Sequence, residues 1–265
     1  MIWSGAQTAI VKKDMREAMS TKSVKAAMLV VPLMMAMLLP GAFTAIAYLM
    51  PSEAGDFDAA MSLMPLDFSL EDGARAVYYY LMNYMMPVFF VIIPVMASSI
   101  AGGSSIVGER ERRTLATLLY SPLSIHDLFV AKIAGALLTA ISVTLVAFAG
   151  FLAVAIVGST LIYGGFVLDA GIWLTIILLI APSISLVGIT LMVLASARAH
   201  SFQEAQQYAV ILMLPTMLLM MLPQLTGSFL FNVPQLLIMG SALVVLALIM
   251  LRLASLRFTA EKLLG

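Results

Sequence analysis

Long apolar runs separated by short polar islands organise this chain of 265 residues. Charge-free stretches cover 26–52, 76–108, 133–168, 170–197 and 205–251. A helix needs about 20 residues to cross a hydrocarbon core ~30 Å thick, and each stretch is long enough. The last one holds two helices, because Pro223, Gly227, Ser228, Asn232 and Pro234 supply a break inside it. The pattern predicts an all-α integral membrane protein with six transmembrane helices, at 26–50, 77–107, 129–158, 170–197, 205–224 and 233–252. The third is expected to end near Gly158. Pro32, Pro87, Pro94, Pro182 and Pro215 fall within apolar runs, where proline kinks a helix and creates a hinge.

Ahead of the first span, residues 7–25 predict an interfacial amphipathic helix. Val11, Met15, Ala18 and Met19 recur at helical spacing on one stripe. Lys12, Lys13, Arg16, Glu17 and Ser20 take the other side, a pattern suited to the headgroup plane.

Charge then orients the chain. Lys12, Lys13, Arg16, Lys22 and Lys25 precede the first span. Arg110, Arg112, Arg113 and Lys132 lie between the second and third, Arg198 between the fourth and fifth, and Arg252, Arg257 and Lys262 close the chain. With six spans all of these share one side, which the positive-inside rule makes cytoplasmic, together with both termini and the tail 253–265. The loop 51–76 then lies outside, carrying Arg75 among Glu53, Asp56, Asp58, Asp67, Glu71 and Asp72. Ser69-Leu70-Glu71-Asp72 reads as a capping box in that loop. Tyr78, Tyr79, Tyr80 and Tyr84 suit an outer aromatic belt.

Composition narrows the chemistry. The chain is 62% hydrophobic and 11% charged, where soluble domains carry roughly 25% charged residues. Its net charge is zero, so nothing favours nucleic acid. The absence of cysteine excludes disulfides and thiolate chemistry. His126 and His200 are too far apart for a zinc motif. No ionisable residue is expected well inside a span, which argues against a buried ion pair, a proton relay and a proton-coupled secondary transporter. No paired Asp, Glu/His set or Ser/His dyad within spans points to an intramembrane enzyme. The Ser and Thr residues of the spans are expected mainly to bond their own helix backbone.

The most informative island is 108–132, GERERRTLATLLYSPLSIHDLFVAK. Glu109 and Glu111 stand in a first helical turn, where the dipole favours carboxylates. Leu115, Leu118 and Leu119 share a face. Pro122 stops that helix, and Ser124 to Asp127 forms a capping box that starts the third span. The expected element is a short helix lying across the membrane surface, its charged end free to enter another protein's groove.

Glu109, Arg110, Thr114, Leu115, Leu118, Leu119, Pro122, Ser124 and Lys132 resemble the intracellular signature of ABC type-2 permeases, E-R-x-x-x-T-L-E-x-L-L-x-x-P-x-S followed by a lysine. Ala116 departs from it where the family often has glutamate. Ser201-Phe202-Gln203-Glu204-Ala205-Gln206-Gln207 is similar to a segment before the fifth span in the sodium- and drug-exporting branch. The resemblance covers nearly the whole chain. It implies a single transmembrane permease domain over 1–265, a homodimer of such chains, and a cytosolic ATPase partner that holds ATP and Mg. It also makes 108–128 the coupling region, with Glu109, Arg110, Arg112, Arg113, Thr114, Leu118 and Pro122 at the ATPase contact. Arg198, Ser201, Glu204 and Gln207 then lie in a cytoplasmic loop before the fifth span. The expected role is ATP-driven export of an ion, lipid, drug or peptide from a prokaryotic plasma membrane. An ATP-independent secondary transporter or channel is the alternative. The chain itself is expected to bind no cofactor, for it lacks the G-x-x-x-x-G-K-[ST] loop that cradles phosphates. Gly102-Gly103-Ser104-Ser105 lacks the lysine of such a loop and suits close helix packing instead.

Overall fold

The computed structural model describes residues 5–20, 22–49, 73–111, 123–196, 203–204, 207, 214 and 232–257. No β-strand occurs among the described residues. Helix α1 covers Gly5–Ala18. Helix α2, Lys22–Lys25, passes through a π-helical turn, Ala26–Val30, into α3, Val31–Leu49. Helix α4, Gly73–Tyr80, passes through a second π turn, Leu81–Met85, into α5, Met86–Glu111. Helix α6 is the longest, at Ile125–Tyr163. Helix α7, Ala170–Thr175, continues through a third π turn, Ile176–Ile180, into α8, Ala181–Ser196. Helix α9 spans Val233–Arg257.

Among the described residues five helices are long and apolar enough to cross a membrane: Ala26–Leu49, Val77–Ser105, Ile125–Tyr163, Ala170–Ala195 and Val233–Ser255. The expected span at 205–224 lies outside the described residues, apart from Gln207 and Leu214. So does the expected capping box at 69–72. The spans starting at Val77 and Ala170 are mostly buried by protein, whereas those starting at Ala26 and Val233 are mostly uncovered. The former make the core of the bundle and the latter its flanks.

Proline places the π turns. Each ends two residues before a proline: Val30 before Pro32, Met85 before Pro87, Ile180 before Pro182. Proline has no N–H to donate and its ring crowds the carbonyl four residues earlier. Shifting the preceding turn to i→i+5 bonding relieves that crowding and keeps the carbonyls paired. The Met86 N–H bonds to Leu81 O and the Ala181 N–H to Ile176 O, both in the wider register. Pro40 and Pro94 sit inside helices without such a turn.

The termini of α6 show why it is so long. Ser124 caps its start, accepting from the Asp127 N–H at 3.1 Å, as the S-x-x-D pattern predicts. Its stop is Gly164, left-handed at φ 75°, whose N–H bonds to Thr160 O. Gly158, expected near the end of this span, lies within the helix. It serves there as a notch between three spans. A methyl group on it would collide with the Thr44 hydroxyl and stand 2.5 Å from Tyr78 Oη. Tyr78 is wholly buried and donates to Ala155 O at 3.4 Å. Its position in the core replaces the outer belt expected for it, because this notch admits the ring between helices. Gly158→Ala is expected to destabilise the fold by about 1–3 kcal/mol through overpacking. Gly165→Ala, which meets open space, is the control in thermal unfolding in detergent.

Aromatic packing fills the centre. Phe90, Phe148, Phe151 and Trp173 form one cluster, with Phe151 and Trp173 centroids 4.3 Å apart. The hydroxyls of Thr139, Ser142, Thr144, Thr160, Thr175, Ser183 and Thr190 each donate to the carbonyl four residues earlier. This is the backbone-bonding use expected from the sequence. Gly102 lies against Ile189 and Met192, so the small-residue patch brings α5 close to α8.

Candidate coupling site

The bundle has two chemically distinct ends. At the end holding the Gly164 turn, Arg75 Nε donates to Ile162 O at 3.1 Å, and its guanidinium lies over the Tyr163 ring. Asn83 donates to Val167 O at 3.3 Å and accepts from the Asp169 N–H at 2.7 Å. Asp169 in turn caps α7 through the Ile172 N–H. These bonds tie the turn between α6 and α7 onto the second π turn.

The opposite end carries most of the charges among the described residues. Helix α1 lies along the first turns of α6. Gln7 Nε2 donates to Asp127 Oδ1 at 3.1 Å. Further along both helices, a methyl on Gly135 would stand 3.3 Å from Asp14 Cβ and 3.5 Å from Val11 Cα, so the two backbones approach closely. The contacts advance in the same direction along both chains. Ile10, Val11, Asp14 and Ala18 form the buried face of α1. Lys12, Arg16, Lys22 and Lys25 remain exposed, and Lys13 pairs with Glu17 at 3.7 Å. The apolar stripe of α1 thus rests on protein.

Asp14 occupies the middle of that buried face, 6% exposed, and meets Lys132, 2% exposed. Lys132 Nζ stands 3.6 Å from Asp14 Oδ2. Ser105 Oγ donates to the same carboxylate oxygen at 2.7 Å. Lys132 Nζ also donates to Ser105 O at 2.7 Å and lies 3.5 Å from Ser105 Oγ. Three side chains from α1, α5 and α6 therefore meet in one buried polar node. Each charge needs the others, because an ion buried without its partner keeps its desolvation cost and loses the attraction that offsets it.

A buried ion pair is contrary to the sequence expectation. The charge pattern places Lys132 among the basic residues joining two spans, and the amphipathic pattern of α1 does not include Asp14. The signal was present. Asp14 lies three residues after Val11 and four before Ala18, inside the apolar stripe, and a charge there needs a partner. Sequence alone does not say that the partner lies 118 residues away.

Of the expected coupling residues, Glu109 and Arg110 belong to α5, which runs unbroken from Met86 to Glu111, so Glu109 and Glu111 continue the second span's helix instead of standing in the first turn expected for them. Arg112, Arg113, Thr114, Leu118 and Pro122 lie outside the described residues, as do Arg198 and Ser201. Glu204 is half-buried and Gln207 exposed, both helical. The node brackets the expected coupling segment. Ser105 precedes Glu111, the last described residue of α5, by six residues, about 9 Å of helix, and Lys132 follows the start of α6 by seven, about 10 Å. Among the described residues no group of His, Cys, Asp and Glu is arranged to hold a metal ion.

Apolar spans, a closed helical core and charge gathered at one end define an integral membrane protein built as a helical bundle. A family model described as ABC-2 family transporter protein matches residues 8–259, and the chain belongs to that family of ABC transporter permeases. No curated protein matches the chain.

Proposed function

We propose that this chain is the membrane-spanning permease subunit of an ABC exporter. In this reading two copies pair in a prokaryotic plasma membrane, each with six spans, the fifth of them formed by 205–224. Both termini are cytoplasmic. ATP and Mg are held by a separate cytosolic ATPase, whose closure moves the spans. The coupling helix lies within 108–128 and meets the ATPase through Glu109, Arg110, Arg112, Arg113, Thr114, Leu118 and Pro122. Arg198, Ser201, Glu204 and Gln207 line a second cytoplasmic loop. The cargo is an ion, lipid, drug or peptide. Helices α1 and α2 hold their exposed basic residues, Lys12 and Arg16 on the first and Lys22 and Lys25 on the second, toward anionic headgroups.

Family membership over 8–259 is the observation that carries this reading. The sequence supports it by lacking a phosphate-cradling lysine loop while having a charged island between the second and third spans. A secondary transporter is the second reading, and the buried Asp14–Lys132 pair is the observation on its side. The pair is buried against Ser105 at one end of the bundle, a poor place to load and release a proton or ion.

The deciding experiment is a mild-detergent purification of the tagged chain from its native membrane, with the co-purifying proteins quantified. An ABC ATPase at near-equal stoichiometry is expected. The chain recovered alone, under conditions that preserve membrane complexes, would favour the secondary transporter.

A further inference from the structure

The polar node is built in a way that apolar packing does not require. Helix α1 already has Ile10, Val11 and Ala18 to hold it against α6, with Leu128 and Ala131 beneath Ile10 and Val11. Apolar contacts of that kind tolerate sliding and rotation. The Asp14 carboxylate does not, because it takes the Ser105 hydroxyl from α5 and the Lys132 ammonium from α6 at once. A slip of one residue moves a helical group by about 1.5 Å and turns it by about 100°, enough to break both. Buried ionic groups are best attested as devices that fix register.

The location matters as much as the chemistry. The node joins the helix that enters the expected coupling segment to the helix that leaves it, and fastens α1 to both. We propose that Asp14, Ser105 and Lys132 are positioning residues that make α1, α5 and the first turns of α6 move as one rigid unit. A push on 112–122 is then passed to the N-terminal helix and both spans together, instead of being absorbed by bending between them. This rests on the coupling reading above.

The chain has no cysteine, so pairs of spin labels can be introduced directly. Ala9 on α1, Leu138 on α6 and Leu246 on α9 are exposed positions for them. Distances are measured in the complex with its co-purifying ATPase, without nucleotide and after trapping with ATP and vanadate. The expected result is that the Leu138–Leu246 distance changes on trapping while Ala9–Leu138 stays constant. In Asp14→Leu with Lys132→Met, which replaces the charges by apolar groups, Ala9–Leu138 is expected to shift or broaden by at least one residue rise, ~1.5 Å.

An unchanged Leu138–Leu246 distance would remove the coupling reading and this proposal with it. Movement in both wild-type pairs would overturn the rigid unit and leave coupling intact. An Ala9–Leu138 distance that stays fixed in the double variant would show that apolar packing suffices, and would overturn the role given to the charges. If that variant does not assemble, the wild-type pair decides alone.

Discussion

Lys132→Met alone is expected to lower the stability of the folded chain by about 3–5 kcal/mol, the usual cost of leaving one member of a buried pair uncompensated. The ammonium of Lys132 is shut away from solvent and donates to the Ser105 carbonyl as well as facing Asp14. Removing it strands the Asp14 carboxylate with the Ser105 hydroxyl as its remaining partner in the node. Asp14→Leu alone strands the ammonium in the same way. The double variant is expected to recover most of the loss, because replacing both ions with apolar groups of similar volume is often neutral or stabilising. Equilibrium unfolding of the four proteins in mixed micelles gives the cycle directly. Simple additivity of the two single losses would mean that the groups are solvated in the membrane and do not interact.

The second large effect concerns the charged island. Arg112→Glu with Arg113→Glu is expected to weaken association with the ATPase by at least about tenfold, since truncating one charge of a buried interfacial pair already costs about 2–5 kcal/mol. Insertion and folding should be unchanged, for the substitutions lie in a charged stretch of sequence past the apolar span Val77–Ser105. The readout is the ATPase-to-permease ratio after purification at two salt concentrations. A loss that added salt mimics in the wild type would mark these arginines as electrostatic contacts. Wild-type recovery of the ATPase would take the two arginines out of the interface.

Much of the architecture is legible in local pattern. Apolar runs longer than a bilayer is thick announce the spans, and Ser124 with Asp127 announces the start of α6, because both signals depend on neighbours in sequence. Family membership is legible for the same reason: the signature from Glu109 to Lys132 is contiguous. Proline predicts where helices are disturbed, and at Pro32, Pro87 and Pro182 the disturbance takes the form of a π turn. The sequence does not distinguish these from Pro40 and Pro94, which remain in regular helix.

What local pattern misses is chemistry assembled across helices. Gly158 resembles a stop in sequence and is a notch in space, filled by Thr44 and Tyr78 from other spans. Asp14 and Lys132 resemble surface charges until α1 is laid on α6. Each misreading has one source: the partner is remote in the chain, and an average over neighbours cannot register it. The coupling role proposed for Arg112 to Pro122 rests on the signature alone.

The π turns also bear on how the membrane-facing surface of these helices must be mapped. A turn bonded i→i+5 holds one residue more than an α turn, and one residue is about 100° of rotation about the axis. Along 77–105, the row of side chains facing lipid before Leu81 is therefore not the row that faces it after Met85. A single 3.6-residue period fitted to the long part after Met85 misplaces the positions before Leu81 by about a quarter turn. The span is better treated as two helical segments set out of phase, each with its own angular origin, and the same holds for 170–196 on either side of Ile176–Ile180.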